Sequence, residues 1–217
     1  MTTLTEKGHA SGFIVSEGEG NISRDNGILI TGQNLAAGTV LGRIGLAATT
    51  SETHAANTGN GVMTLDATNP VRAGAKQGVY TATVVTAATN GGVFRVEDPD
   101  GFVLGDVAVA ATFDDDIKFV IADGATDFVV GDKFLITVAV GSNKFTAVAP
   151  AAQDGSQVAA GILVASTDAT AADVACAIFA RYGEVNAYEL IWPAGISAPN
   201  KATAIAQLAA QGIIVRP

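Results

Sequence analysis

The sequence predicts a mainly β protein with few short helices, an α+β chain in which a small mixed β core with a C-terminal helix accompanies an all-β block. Three observations carry this. Between about Asn57 and Gly141 the runs "VYTATVV", "GGVFRVEDPDG", "IKFVIADG" and "DKFLITVAV" are strand-like and are divided by the turn dipeptides Asn90-Gly91, Asp100-Gly101 and Asp123-Gly124. One segment, near the C-terminus, has clear start and stop signals for a helix. Hydrophobic residues are 48% of the 217 and charged ones 15%, so the chain can bury a proper core and disorder is not the default.

Met1 to about Gly20 is polar and Gly-dotted, with one apolar run, "GFIVSE" (Gly12 to Glu17). A terminus of this composition is mobile unless something holds it. The run suits a strand added to another sheet's edge, and it equally suits a first strand in the protein's own sheet. From Gly27, "GILITGQNLAAGTVLGRIG" reads as two β-rich runs, Ile28 to Thr31 and Thr39 to Ile44, around a Gly/Asn-bearing turn. "LAATTSETHAANTGNG", Leu46 to Gly61, has no clear period and reads as a linker or surface loop. In "VFRVEDPDG" the alternation puts Val93, Arg95 and Glu97 on one face and Phe94, Val96 and Asp98 on the other.

Past Gly141 the chain gives "KFTAVAP", "DGSQVAAGILVAS" and "TDATAADVACAIFARYGEVN". In the last, Asp168 or Thr170 can cap a helix, with Asp173 completing an approximate capping box. Against a helix, Val174, Cys176, Ile178 and Tyr182 share one face of a strand, and Gly183 ends the run, so a strand is the expectation. The final helix is clearer: Ser197 caps, Pro199 suits the first turn, Ala202, Ile205, Leu208 and Ala209 form a stripe, and Gly212 stops it. "IIV" then returns as a strand, which requires the helix to pack on a sheet.

The formal charge is −9, and Gly78 to Gly141 holds most of it, with three basic residues against ten acidic. Solubility alone accounts for such a surface. It also repels phosphates, so no direct nucleic-acid partner and no anionic membrane partner is expected. The single cysteine, Cys176, excludes an internal disulfide and a multi-thiolate metal site, and in "VACAIFA" it reads as a small buried residue. No signal-peptide h-region and no apolar stretch near the ~18 residues of a membrane span is present, so a cytoplasmic protein, or one released by lysis, is expected.

Catalytic candidates are few. His9 and His54 lie in the segments judged least ordered, where no rigid scaffold can hold an imidazole for nucleophilic catalysis. There is no phosphate-binding glycine loop. "EDPDG" and Asp114 to Asp116 offer hard oxygen ligands of the kind calcium takes, but "DPDG" is also plain turn chemistry, and no metal or other cofactor is expected. Paired carboxylates for glycoside hydrolysis need a cleft of defined width, and three Tyr and one Trp make poor sugar platforms. Trp192, between Ile191 and Pro193 ahead of the helix, reads first as a core plug, and Trp192 with Pro193 is kept as a candidate interface pair. The expectation is a protein that is not an enzyme.

The stretch Ala159 to Arg216, above all "DATAAD", "GEVN", "WPAGI" and "LAAQGIIVR", resembles the C-terminal half of the lambda-type bacteriophage head decoration proteins. "FIVSEGEGNISRDNGILITGQNLAAGTVLGRI" (Phe13 to Ile44) is similar to the other half of that family's core. The two stretches cover about half the chain, and their joint order makes the match specific. The resemblance implies three parts: a flexible capsid-binding arm over 1–20, a decoration core over 21–56 and 142–217, and an inserted β domain over 57–141. It implies a homotrimer that binds the phage major capsid protein at threefold and quasi-threefold sites of the expanded head and stabilises it against packaged DNA. The location would be the outer surface of the virion, after assembly in the host cytoplasm. The arm's docking role would fall on Gly12, Phe13, Ile14, Val15, Ser16 and Glu17, with Phe13 and Val15 on one face and Ile14 and Ser16 on the other. An adhesin that binds host glycan or protein through the inserted domain is the alternative.

Overall fold

The computed structural model describes residues 8–217, so the first seven residues of the expected arm lie outside the described residues. The chain divides into two compact units, one running to Ile44 and again from Asn143 to Pro217, the other formed by Gly45–Ser142. The first unit begins with β1 (Ile14–Glu17), β2 (Arg24–Leu29), β3 (Gln33–Leu35) and β4 (Val40–Arg43). The second contains β5 (Leu46–Thr53), β6 (Val62–Leu65), β7 (Gly78–Ala88), β8 (Gly91–Glu97), β9 (Val103–Ala108), β10 (Thr112–Asp114), β11 (Lys118–Ala122) and β12 (Lys133–Val140). The chain then completes the first unit with β13 (Phe145–Ala147), β14 (Ala159–Leu163), β15 (Thr167–Ala169), β16 (Val174–Phe179), β17 (Gly183–Asn186), α1 (Ala198–Ala210) and β18 (Ile213–Arg216). The protein is mainly β with a single described helix, as its sequence predicts.

In the first unit five strands close into a barrel in the order β13-β2-β16-β14-β4, beside a sheet β1-β17-β18 and the pair β15-β3. The segment that reads as either helix or strand is β16, antiparallel to β2 from Val174↔Leu29 to Phe179↔Arg24. Its Cys176 and Ile178 are buried with Leu29, Leu41, Leu163 and Ala169. Tyr182, expected on that face, lies past the strand's end at φ 48 and is 58% exposed, because the left-handed residue turns the chain outward. Asp168 caps no helix; its carboxylate accepts from the Thr170 N–H in a local turn while Thr167–Ala169 pairs with β3.

Helix α1 starts where Ser197 Oγ accepts from the Asn200 N–H at 3.3 Å and ends at Gly212, φ 79. Its inward face differs from the expected stripe. Ala204 and Leu208 are buried and Ile205 is half-buried, but Ala202 and Ala209 are exposed. The reason is polar: Gln207 Oε1 accepts from the Ala159 N–H at 2.8 Å, and Gln211 Nε2 donates to the Ala159 carbonyl at 2.7 Å. Two glutamines one turn apart thus take both main-chain groups of a β14 residue, each bond contributing about 1 kcal/mol, and they turn the helix so that these amides face the sheet.

The second unit has a five-stranded sheet, β5-β12-β7-β8-β9, and a three-stranded one, β10-β11-β6. One core serves both, built on Tyr80, Phe94, Phe119, Phe128, Phe134 and Ile117. Phe94 and Phe128 meet edge to face at 5.0 Å, the arrangement their ring quadrupoles favour. β8 keeps the predicted alternation: Phe94, Val96 and Asp98 are buried while Arg95 is exposed. The expected linker from Leu46 is instead β5, paired with β12 from Thr53↔Phe134 to Thr50↔Thr137. As an edge strand of Ala, Thr and Ser it needs little apolar content, so it shows no hydrophobic period. The unit accordingly starts at Gly45, ahead of the Asn57 expected from sequence.

Candidate functional site

Gly12, Phe13, Ile14, Val15, Ser16 and Glu17 form a continuous feature on the first unit. Ser11, at φ 64, donates its N–H to the Val164 carbonyl at 2.8 Å, and the chain turns there so that the Gly12 N–H reaches the His9 carbonyl. Phe13 then enters the core. It is 2% exposed and meets Phe179 edge to face at 6.1 Å. β1 pairs antiparallel with β17 through Ile14↔Val185, Ser16↔Glu184 and Glu17↔Gly183, so this strand belongs to the protein's own sheet. Between Ile14 and Ser16 the register shifts by one residue. That bulge breaks the expected alternation: Phe13 points inward, while Val15 is 59% exposed.

Polar bonds secure the far end of β1. Arg24 donates from Nε and Nη2 to the two Glu17 oxygens at 2.8 and 3.0 Å. Buried Ser23 accepts from the Gly18 N–H at 2.8 Å and donates to the Tyr182 carbonyl at 2.6 Å. β17 lies on one side of β1, and among the described residues β1 is an edge of its three-stranded sheet. An edge strand presents unpaired main-chain groups on its outer side, and here an exposed Val, Ser and Glu stand along it.

The loop carrying Trp192 and Pro193 reaches the same end of the unit. Gly38, at φ 85, accepts from the Ile191 N–H at 2.9 Å, and a Cβ on it would lie 2.4 Å from the Glu189 carbonyl and 3.8 Å from the Phe13 ring. Only glycine fits there. Trp192 is half-buried against the core of Phe13, Val40, Ile162 and Phe179, and Lys201 Nζ sits 5.3 Å above its ring. Its indole N–H is buried and meets no acceptor among the described residues. Tyr188, in the same loop, is 85% exposed and Ile191 41%. Sequence reasoning did not single out Tyr188, because an exposed aromatic in a polar loop has no periodicity to mark it.

Several carboxylates of the second unit are bound by cations of the same chain. Lys76 Nζ lies 2.6 Å from both Asp98 and Asp100, and the Lys76 ammonium, with two N–H bonds from the following turn, holds Asp98 below the usual carboxylate range. Arg72 takes Asp114 through two bonds of 2.7 Å. Asp66 accepts from the Asn69 and Thr68 N–H groups and pairs with Lys118, which brings it down to about 2. Asp116 moves upward instead, chiefly by burial and then by the neighbouring Asp115 charge. Among the described residues no three His, Cys, Asp or Glu stand together as a metal site. His54 Nδ1 accepts from the Ala56 N–H in a turn.

The first unit thus presents a strand edge flanked by exposed side chains, and five acids of the second unit, Asp66, Asp98, Asp100, Asp106 and Asp114, pair with its own lysines and arginines. The sequence profile of the bacteriophage lambda head decoration protein D family matches residues 3–213. The chain belongs to this phage capsid decoration family, a family of virion structural proteins. No curated relative matches it. Among solved structures, the FlgL protein of Xanthomonas campestris is 18% identical with TM-score 0.32, covering 49% of this chain and 34% of that one. The flagellar hook junction protein FlgK from Burkholderia pseudomallei is 17% identical with TM-score 0.33, covering 59% and 21%. The chain thus spans about a third or less of those proteins, and likenesses at these scores bear on neither fold nor function.

Proposed function

We propose that the protein is a homotrimeric cement protein of the phage head, which binds the major capsid protein at threefold and quasi-threefold positions of the expanded shell and stabilises it against the pressure of packaged DNA. The observation that carries the reading is the family match across nearly the whole chain, and the open edge of β1 supplies a physical means of attachment. A capsid strand adding to that edge would gain main-chain hydrogen bonds while Val15 offers apolar contact. Residues 1–20 act in docking, and Gly45–Ser142 acts as an insertion in the decoration core. The protein works on the outer capsid surface after assembly in the host cytoplasm and needs neither nucleic acid nor membrane.

Co-sedimentation with expanded, undecorated heads tests this, alongside sedimentation velocity of the free protein. Saturable pelleting and a trimeric mass are expected. Val15→Lys, which alters an exposed position without touching the core, should abolish pelleting while leaving Trp192 fluorescence unchanged. A monomer that ignores expanded heads would overturn the reading, and full pelleting by Val15→Lys would remove β1 from the contact.

A further inference from the structure

The chain contains three Asn-Gly steps, Asn26-Gly27, Asn60-Gly61 and Asn90-Gly91. At such a step the main-chain nitrogen of the glycine can attack the asparagine side-chain carbonyl, because no Cβ crowds the nucleophile. The three differ sharply in how firmly the fold holds them. Asn26 lies within β2 opposite Ala177, and a Cβ on Gly27 would come 2.3 Å from Ile178 Cδ1 and 2.9 Å from the Phe145 ring. Asn60 is fastened twice to Thr126: its N–H donates to the Thr126 carbonyl at 3.2 Å and its Oδ1 accepts from the Thr126 N–H at 2.9 Å. Gly61 is buried beneath the Phe128 ring.

Asn90 is placed otherwise. It sits in the two-residue turn Thr89–Asn90 between β7 and β8, is exposed, and has φ 52. Its N–H donates to Asp127 Oδ1 at 2.8 Å, which leaves the side-chain amide outside that bond. A Cβ on Gly91 would meet nothing nearer than the Thr89 carbonyl at 3.9 Å, and Gly92 follows it. Two glycines after the turn let the tip open without disturbing the buried Phe94 and Val96 further along β8.

We propose that Asn90-Gly91 is a self-modification site of the folded protein, deamidating through a cyclic imide while the other two steps are protected by the fold. Gly91 N forms a bond to Asn90 Cγ, the Cγ–Nδ2 bond breaks, and ammonia leaves with the proton lost from Gly91 N. Water then opens the ring at either carbonyl, giving an aspartyl or an isoaspartyl residue at position 90. No oxidant or enzyme is required. Either product sets a new carboxylate beside Asp127, and the isoaspartyl form lengthens the main chain of the turn by one methylene.

Incubation of the intact protein at mildly alkaline pH, followed by peptide mass spectrometry and by isoaspartyl methyltransferase labelling, tests the proposal. Conversion at Asn90 is expected to run at least about tenfold faster than at Asn26 or Asn60, the factor that each ~1.4 kcal/mol of opening free energy imposes on a protected site. In denaturant the three should converge. Gly91→Ala, which the open space around Gly91 accepts, should slow Asn90 and leave the fold intact. Faster conversion at Asn26 or Asn60 in the native protein would overturn the proposal, as would a native Asn90 that stays unchanged while the unfolded chain deamidates.

Discussion

Phe13→Ala separates two physical descriptions of the N-terminal segment. If β1 is an integral strand, the substitution empties a site enclosed by Phe179, Val40 and Ile162. Burying a Phe side chain contributes roughly 1.5–3 kcal/mol, and the edge contact with Phe179 adds about 0.5–1.5. With the cavity left behind, the expected loss is about 3–5 kcal/mol, a large share of the roughly 5–15 kcal/mol that holds a typical domain together. Trp192 is the one tryptophan of the chain and lies in the first unit, so its fluorescence reports unfolding of that unit alone. With a urea slope of about 1–3 kcal/mol/M, the midpoint should fall by about 2 M. If Phe13→Ala leaves no folded baseline, Phe13→Leu, expected to cost about 1 kcal/mol, provides the measurable shift. A segment ordered only on docking would contribute nothing to the free protein. A midpoint change under about 0.3 M for Phe13→Ala would refute the integral strand.

Gly38→Ala should destabilise the first unit by more than about 2 kcal/mol in the same urea assay, since φ 85 opposes any Cβ and the Glu189 carbonyl stands 2.4 Å from where it would go. Asp132 is 4% exposed, and its carboxylate accepts from the Thr58, Gly59 and Val129 N–H groups, closing the 57–61 loop onto the start of β12. Burial alone would raise its pKa, but the three N–H bonds outweigh it and the carboxyl titrates below its ordinary value. Its contribution to stability is therefore present above the unfolded pKa of about 3.9 and is lost as pH falls through the lower folded value. Asp132→Asn should cost about 2–4 kcal/mol at neutral pH, read by near-UV circular dichroism of buried Tyr80, and should flatten the acid limb of the stability profile. The Cys176 thiol is pushed up by burial, against a smaller opposing effect from the Leu29 main chain, so a chromogenic disulfide reagent should label it only on unfolding; rapid labelling of the native protein would contradict its placement in the barrel core.

Legibility in the sequence followed the physics of each element. β8 and its turns were readable because Phe94 and Val96 alternate with Arg95 and Glu97 and Asp100-Gly101 demands a turn; Gly101 indeed takes φ 83. Ser197 and Gly212 marked the ends of α1 for the same reason, since caps are local. Its inward face was not readable, because Gln207 and Gln211 face the sheet to satisfy Ala159, a demand that exists only after β14 is in place. β5 was hidden by its edge position, where hydrogen bonds to β12 replace hydrophobic period. In the candidate site, periodicity put Phe13 with Val15. The bulge that separates them depends on the registry with β17, and no residue of the run announces it.

The two readings of Gly12 to Glu17, a strand of the protein's own sheet or a docking strand, are compatible once the strand is seen to be an edge. One side is occupied by β17, Phe13 fastens one end through the core, and Glu17–Arg24 with Ser23 fastens the other. Between these fixed points Val15 and Ser16 remain exposed. Under the proposed function this order matters energetically. Fixing a free residue's backbone costs about 1–2 kcal/mol, so a four-residue arm that ordered only on contact would lose roughly 4–8 kcal/mol of its docking free energy. A strand already set in place by Phe13 avoids that loss. The core contact that stabilises the free protein is then also what keeps the edge ready for a partner, which is why a substitution at buried Phe13 should weaken head binding as well as folding, whereas one at exposed Val15 should affect binding alone.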